Sequence, residues 1–250
     1  MRSRALPVFG LTLLVLSTGG CNLFAARYYN ARGFGYYKRG DYDRAIADFN
    51  QAIKLNPAFA EAYTNRGLVE DIRGDYDHAI ADHDQAIRLK PRLALAFNNR
   101  GMVFIHKRDY DTAITDFNQA LTLTPNDAIA HSNRAIAYYR KRDYDQAIRD
   151  GDFAIRIDPG MATAWNNRCL VYLDQGNYEK AIADCTEAIR LRPTNDESYL
   201  SRGLASSRKG DIETARIDFD HVQRQGSSEA NRKRAEVLAR QLDSGEKGAH

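Results

Sequence analysis

Small and apolar positions return along this chain every 34 residues. Pro57, Pro91, Pro125, Pro159 and Pro193 hold that spacing, and in the same register stand Gly33, Gly67, Gly101, Ala135, Cys169 and Gly203, then Ala45, Ala79, Ala113, Ala147, Ala181 and Ala215. A third small set follows at Ala52, Ala86, Ala120, Ala154 and Ala188. Each period predicts two helices. The first, such as Ala60 to Arg73, stops at Gly74-Asp75, where Gly permits the turn and Asp offers a cap to the next helix. The cap position holds Asp41, Asp75, Asp109, Asp143, Asn177 and Asp211, and two residues on an acid recurs in every copy, favourable at a helix N-terminus. The second helix ends before the Pro, which lacks the amide to continue it. Small residues at matched places let the two helices approach closely, and pairs stack because one pair alone cannot bury its apolar face.

These positions resemble the tetratricopeptide-repeat (TPR) family over six copies, 26–59, 60–93, 94–127, 128–161, 162–195 and 196–229. The small eighth and twentieth positions and the closing Pro are present, and the large fourth position holds Tyr29, Tyr63, Phe97, His131, Trp165 and Tyr199. The sixth copy lacks the Pro and has Val222 at the third small position, as a terminal capping repeat does. The resemblance implies an all-α fold, a right-handed superhelix of helix-turn-helix pairs. Residues 229–243 predict one more helix, whose Ala235, Leu238 and Leu242 share a face able to cover the sixth repeat, leaving 244–250 as a disordered tail.

The N-terminus differs in kind. Arg2 and Arg4, an apolar run from Leu6 to Leu16 and then Ser17-Thr18-Gly19-Gly20-Cys21 have the layout of an export signal. Residues 1–21 are similar to a bacterial lipoprotein signal, with Cys21 as the lipidated residue, although Thr18 stands where that family usually has Leu. Two other readings stay open. The uncharged stretch from Ala5 to Ala26 is about the ~20 residues of an uncleaved anchor, and a cut near Ala25 or Ala26 would release a soluble protein. The expected location is the bacterial cell envelope, in the periplasm, held at the membrane through the N-terminus.

The net charge of +3 changes little, because removing residues 1–20 leaves 34 basic against 33 acidic side chains. A nearly neutral chain exerts no general pull on nucleic acid, and no nucleic-acid partner is expected. The six histidines fall at different repeat positions without metal-ligand spacing, and no phosphate loop or nucleophile motif is present. No metal, cofactor or catalytic residue is predicted, and the chain reads as a non-enzymatic protein. Asp48, Asp82, Asp116, Asp150, Asp184 and Asp218 recur in every copy, which points to architecture. They match Arg32, Arg66, Arg100, Arg134, Arg168 and Arg202, predicting ion pairs within a repeat or between neighbours. Cys169 and Cys185 face one interhelical core. They are expected as a disulfide in an oxidising compartment or as two free buried thiols, the second being the simpler expectation.

In the TPR family the first helices of the pairs line the concave face. The matching fifth and sixth positions here hold Asn30, Asn65, Asn98, Asn99, Ser132, Asn133, Asn166 and Asn167. Asparagine is a mediocre helix former, and its amide suits a peptide backbone. Asn65, Asn99, Asn133 and Asn167 are similar to the asparagine ladder in the repeat domain of the O-GlcNAc transferase family, which grips peptide main chain; Ala31 and Ser201 depart from it. The alternative is that these amides bridge adjacent helices. Tyr37, Lys38, Tyr139 and Arg140 flank the row as anchors. The dense Lys and Arg set of chaperone-tail-binding TPR domains is missing. The expected partners are proteins, met as extended, mixed and fairly neutral peptide segments, and the expected role is an envelope scaffold or adaptor. The competing role is a structural or self-assembling envelope protein that uses its end faces, and behind it stands a cytosolic nucleic-acid-associated adaptor.

Overall fold

A computed structural model describes residues 9–244, with side chains from residue 22. Arg2, Arg4, the start of the apolar run, the side chain of Cys21 and the tail 245–250 lie outside the described residues. All regular structure among these residues is helical: α1 (Phe9–Lys38), α2 (Tyr42–Leu55), α3 (Ala60–Ile72), α4 (Tyr76–Leu89), α5 (Ala94–His106), α6 (Tyr110–Leu123), α7 (Ala128–Arg140), α8 (Tyr144–Ile157), α9 (Ala162–Asp174), α10 (Tyr178–Leu191), α11 (Asp196–Lys209), α12 (Ile212–Gln225) and α13 (Glu229–Ser244). They fall into two compact units, one ending at Asp109 and the other starting at Tyr110. Ser244, expected in the disordered tail, closes α13, where its hydroxyl donates to the Gln241 carbonyl at 3.0 Å. The first helix begins at Phe9, well before the first repeat, so the segment around Cys21 continues into α1 without a break. No helix among the described residues is long and apolar enough to cross a membrane.

The turn inside each pair needs one residue of left-handed backbone. Gly74 supplies it at φ 80°, whereas the equivalent Arg142 adopts φ 62° at the steric cost a Cβ brings there. The aspartates that follow cap the second helices: Asp143 accepts from the Gln146 amide at 3.2 Å and Asp211 from the Thr214 amide at 3.1 Å.

Within the first unit, Ala45, Phe49 and Val69 form one buried cluster and Ala60, Ala86 and Ala96 another, so each core spans neighbouring pairs. In the second unit Leu200, Phe219, Val222 and Ala235 form a core that Leu238 and Leu242 of α13 pack against. Gly203 is small because Phe219 lies on it: a Cβ there would sit 2.5 Å from the ring's Cε1. Asp196 holds the start of α13. Its Oδ2 accepts from the Ser227 amide and hydroxyl, both at 2.7 Å, and from Asn231 at 3.1 Å. Burial pushes this carboxyl up, but those bonds outweigh it and hold it below the usual carboxylate range.

The site that Phe49, Phe117 and Phe219 occupy in their repeats is filled in the second repeat by His83, fully buried and with neither ring nitrogen bonded. Burial, and then the charge of Arg100, push its pKa down to about 3. We therefore expect His83→Phe to stabilise the protein at neutral pH by about 1–3 kcal/mol, the cost of an unsatisfied buried polar group. The unfolded ring takes up a proton near pH 6.5 and the folded ring does not. Wild-type stability should thus fall as pH drops from 6.5 towards 3, by up to about 1.4 kcal/mol per unit from this group. Urea unfolding of both proteins from pH 7.5 to 4 checks this: the gap should widen towards acid, and a constant or negative gap refutes it.

Candidate functional site

Two sets of charges define the frame around the candidate groove. In the five repeats that lie wholly within one unit, the first-helix Arg makes a two-pronged pair with the second-helix Asp sixteen residues on. Arg32 meets Asp48 at 2.7 and 2.7 Å, Arg66 meets Asp82 at 2.6 and 2.6 Å, Arg134 meets Asp150 at 2.7 and 2.6 Å, Arg168 meets Asp184 at 2.7 and 2.8 Å, and Arg202 meets Asp218 at 2.9 and 2.7 Å. Beyond the first repeat the remaining guanidinium nitrogen reaches back to the preceding repeat, Arg134 to Asn118 at 2.6 Å and Arg168 to Asp152 at 2.5 Å, whereas that of Arg32 meets Tyr28 on its own helix. One side chain thus joins both partners the sequence offered, its own repeat and its neighbour. A second, exposed ladder went unread in the sequence: Arg73 pairs with Asp43 at 2.7 Å, Lys107 with Asp77 at 2.7 Å, and Lys141 with Asp111. The signal was the basic residue recurring at the turn beside the recurring first-turn acid.

The first helices of neighbouring pairs are bridged by polar contacts 35 residues apart, one more than the repeat. In the first unit Asn65 donates to Asn30 Oδ1 at 3.0 Å, and His106 Nδ1 lies 2.8 Å from Asp71 Oδ1. In the second unit Asn167 donates to Ser132 Oγ at 3.0 Å, and the Tyr139 hydroxyl donates to Asp174 Oδ2 at 2.8 Å. Asn166 Oδ1 accepts from Ser198, 32 residues on, at 2.8 Å, while within α5 Asn98 donates to its neighbour Asn99 at 3.4 Å. Several amides singled out as peptide ligands therefore also bridge adjacent helices, because a half-buried amide between helices needs a partner. Burial, with the bond to Asp174, pushes the Tyr139 phenol up, so it stays a donor.

The anchor residues fare unequally. Tyr37 is half-buried against the Ala45, Phe49 and Val69 core, with its ring 5.5 Å from Phe34, while the exposed Lys38 lies 5.0 Å over Phe34. Tyr139, Arg140 and Asn167 instead line one dent in the second unit, together with Ala135, Ile136 and Leu170. Asn133 lines a neighbouring cleft with Ile129 and Ser132. Among the described residues no cluster of metal-ligating side chains occurs. Cys169 and Cys185, fully buried, are joined by a disulfide with their Cα atoms 5.5 Å apart, tying α9 to α10. Of the two outcomes the sequence left open, the bonded one is observed; two residues facing one core at that Cα separation lie within the usual bonding range.

Helix pairs recurring every 34 residues, stacked through small residues and stapled by a repeated Arg–Asp pair, define a helical repeat protein. Residues 35–69 and 103–142 match a family described as TPR repeat, and residues 60–93 and 162–195 match families described as tetratricopeptide repeat. Together these matches cover more than half of the chain, which belongs to the tetratricopeptide-repeat family. No curated protein matches it by sequence. Among solved structures it is similar to the APC/C hetero-tetramer Cut9–Hcn1 (TM-score 0.80, 19% identity, 87% of this chain and 42% of that one). It is also similar to PilF of Pseudomonas aeruginosa (0.72, 18%, 86% and 98%) and to YrrB, described as a TPR protein with an unusual peptide-binding site (0.55, 18%, 76% and 97%). The chain spans less than half the length of the Cut9–Hcn1 chain. At such identities the likeness concerns the fold.

Proposed function

We propose that this chain is a non-enzymatic adaptor that holds extended segments of partner proteins on its concave face, in a bacterial cell envelope. The dent lined by Ile136, Tyr139, Arg140, Asn167 and Leu170 carries the reading: an apolar floor beside polar groups, on the helices that face the groove in this family. The peptide-binding site named for YrrB agrees with it. Support for the envelope comes from the signal-like residues 1–21, with lipidation at Cys21 as the first reading, and from the Cys169–Cys185 bond, since disulfides persist in oxidising compartments. The strongest charges are committed to the repeat framework, and their recurrence in copy after copy argues for architecture over catalysis.

Crosslinked capture from intact cells tests the groove, comparing wild type with a Leu170→Glu variant whose circular dichroism and melting temperature are unchanged. Partners lost from the variant support an adaptor; an unchanged set refutes groove binding. Cys21→Ala should move the protein from the membrane fraction to the soluble one, and retention in the membrane refutes lipidation. A second reading, self-association through an end, rests on Leu23 and Phe24 of α1, which are 52% and 80% exposed. It predicts sedimentation that depends on concentration and is reversed by Phe24→Asp.

A further inference from the structure

The furrow between α7 and α9 has a geometry that selects among extended ligands. It holds the dent of about 110 Å³ over Ile136 and Leu170, and a larger cleft of about 420 Å³ over Ile129, Met161 and Leu191. Ile129 is 54% exposed, an apolar side chain left facing water in this cleft. Ile129 and Ile136 are seven residues apart on α7, as Thr163 and Leu170 are on α9, so the two hollows are about 10.5 Å apart along the helix axes. A ligand chain must place two side chains on one face at that separation. A β-strand returns to the same face every second residue, at about 6.7 or 13.4 Å, and misses both ways. A polyproline II segment returns every third residue at about 9.3 Å and fits.

The furrow also supplies what such a segment lacks. Polyproline II has no internal hydrogen bonds, and Asn167, whose amide nitrogen is held by Ser132, keeps its Oδ1 without a partner among the described residues to accept a ligand N–H. Arg140 borders the small dent and Arg192 the large cleft. Unlike Arg134, Arg168 and Arg202, neither makes an ion pair or a side-chain hydrogen bond with any described residue; Arg140 only lies 5.8 Å over the Tyr139 ring. The nearby carboxylates bond neutral donors, Asp127 the Ile129 and Ala130 amides, Asp158 the Gly160 amide and Asp174 the Tyr139 hydroxyl, and none is paired with either arginine. Each end of the furrow thus has one arginine without an ion-pair partner among the described residues.

We infer, resting on the groove reading above, that the occupant is a polyproline II peptide lying lengthwise between α7 and α9, with apolar side chains at positions i and i+3 and a carboxylate outside each. The test is fluorescence anisotropy of the full-length protein with the fluorescein-labelled peptide Asp-Leu-Pro-Pro-Leu-Asp. Companion peptides have one or three central prolines, or Lys in place of Asp. The parent peptide should bind about tenfold or more tightly than each companion, a difference of roughly 1.4 kcal/mol. An Arg140→Ala/Arg192→Ala variant should lose the preference for Asp over Lys while keeping the preference for spacing. Equal binding of all spacings, still weakened by Leu170→Glu, overturns the lengthwise polyproline geometry and leaves the groove adaptor standing. Binding of these peptides that Leu170→Glu does not weaken overturns the inference by placing them elsewhere. If no peptide binds while cell capture still loses partners in Leu170→Glu, the ligand chemistry proposed here is wrong and the adaptor reading survives.

Discussion

Arg134→Ala should destabilise the protein by about 2–4 kcal/mol, far more than removal of a surface ion pair. The cost of leaving a buried charge without its partner is about 3–5 kcal/mol, and we discount it because the Arg134 side chain is 20% exposed. Asp150 is buried and accepts both prongs of Arg134 as well as His131 at 3.0 Å; burial pushes its carboxyl up, yet these partners hold it below the usual range. Without Arg134 burial outweighs the remaining partner and raises that carboxyl, so the deficit should begin to shrink as pH falls into the carboxylate range from above, where Asp150 of the variant takes up a proton before that of wild type. Arg134→Lys should recover only a fraction, because an ammonium cannot bridge both carboxylate oxygens and Asn118 together. Asp43→Asn, which breaks the exposed pair with Arg73, is the control and should cost below about 1 kcal/mol. Urea unfolding at pH 7 and pH 3.5 measures all four. A loss for Arg134→Ala no greater than that for Asp43→Asn would reduce the repeated pair to surface decoration.

Reducing the Cys169–Cys185 bond should lower stability by about 3 kcal/mol, the chain-entropy value for closing a loop of this size, given their separation of 16 residues. A Cys169→Ala/Cys185→Ala variant should unfold at one urea midpoint with or without reductant, whereas wild type should show two. Thiol titration of the unfolded, unreduced chain gives an independent reading, and two reactive thiols beyond Cys21 would mean that the bond does not form. Because α9 carries Asn167, Leu170 and Asp174, loss of the bond also slackens one wall of the proposed groove. Reduced protein should therefore bind the groove peptide more weakly, while Arg140→Ala/Arg192→Ala in the oxidised protein should alter charge preference alone.

Much of the fold was legible because a repeat states each requirement several times over. Gly203 must be small under Phe219, as Gly33 must be under Phe49, and a rule repeated at one spacing stands out from chance. The Arg–Asp pairing was readable for the same reason. Single-copy features were harder to read. His83 looked like one of six scattered histidines until its position matched a phenylalanine slot, and nothing in the repeat pattern told that α1 extends back to Phe9. The groove was legible as a row of residues and not as a surface. A row of asparagines does not say which amides are already used; Asn65 and Asn167 spend a donor on the neighbouring helix, and that depends on how far one helix is displaced along the next.

Local periodicity, caps and turn residues are enough to place the helices of the repeats, their pairing and their order. Recurrence at a fixed offset likewise marks the buried Arg–Asp pairs as structural, although the exposed ladder of Arg73 with Asp43 was not read the same way. It takes the packed helices to show that Cys169 and Cys185 are bonded, that Tyr139 and Asp174 meet 35 residues apart, and that Tyr139 and Arg140 border an open dent while Tyr37 is drawn into a core. The reason is that hydrogen bonds, disulfides and dents depend on distances of a few tenths of an ångström between helices, and the spacing of residues along one helix does not contain them.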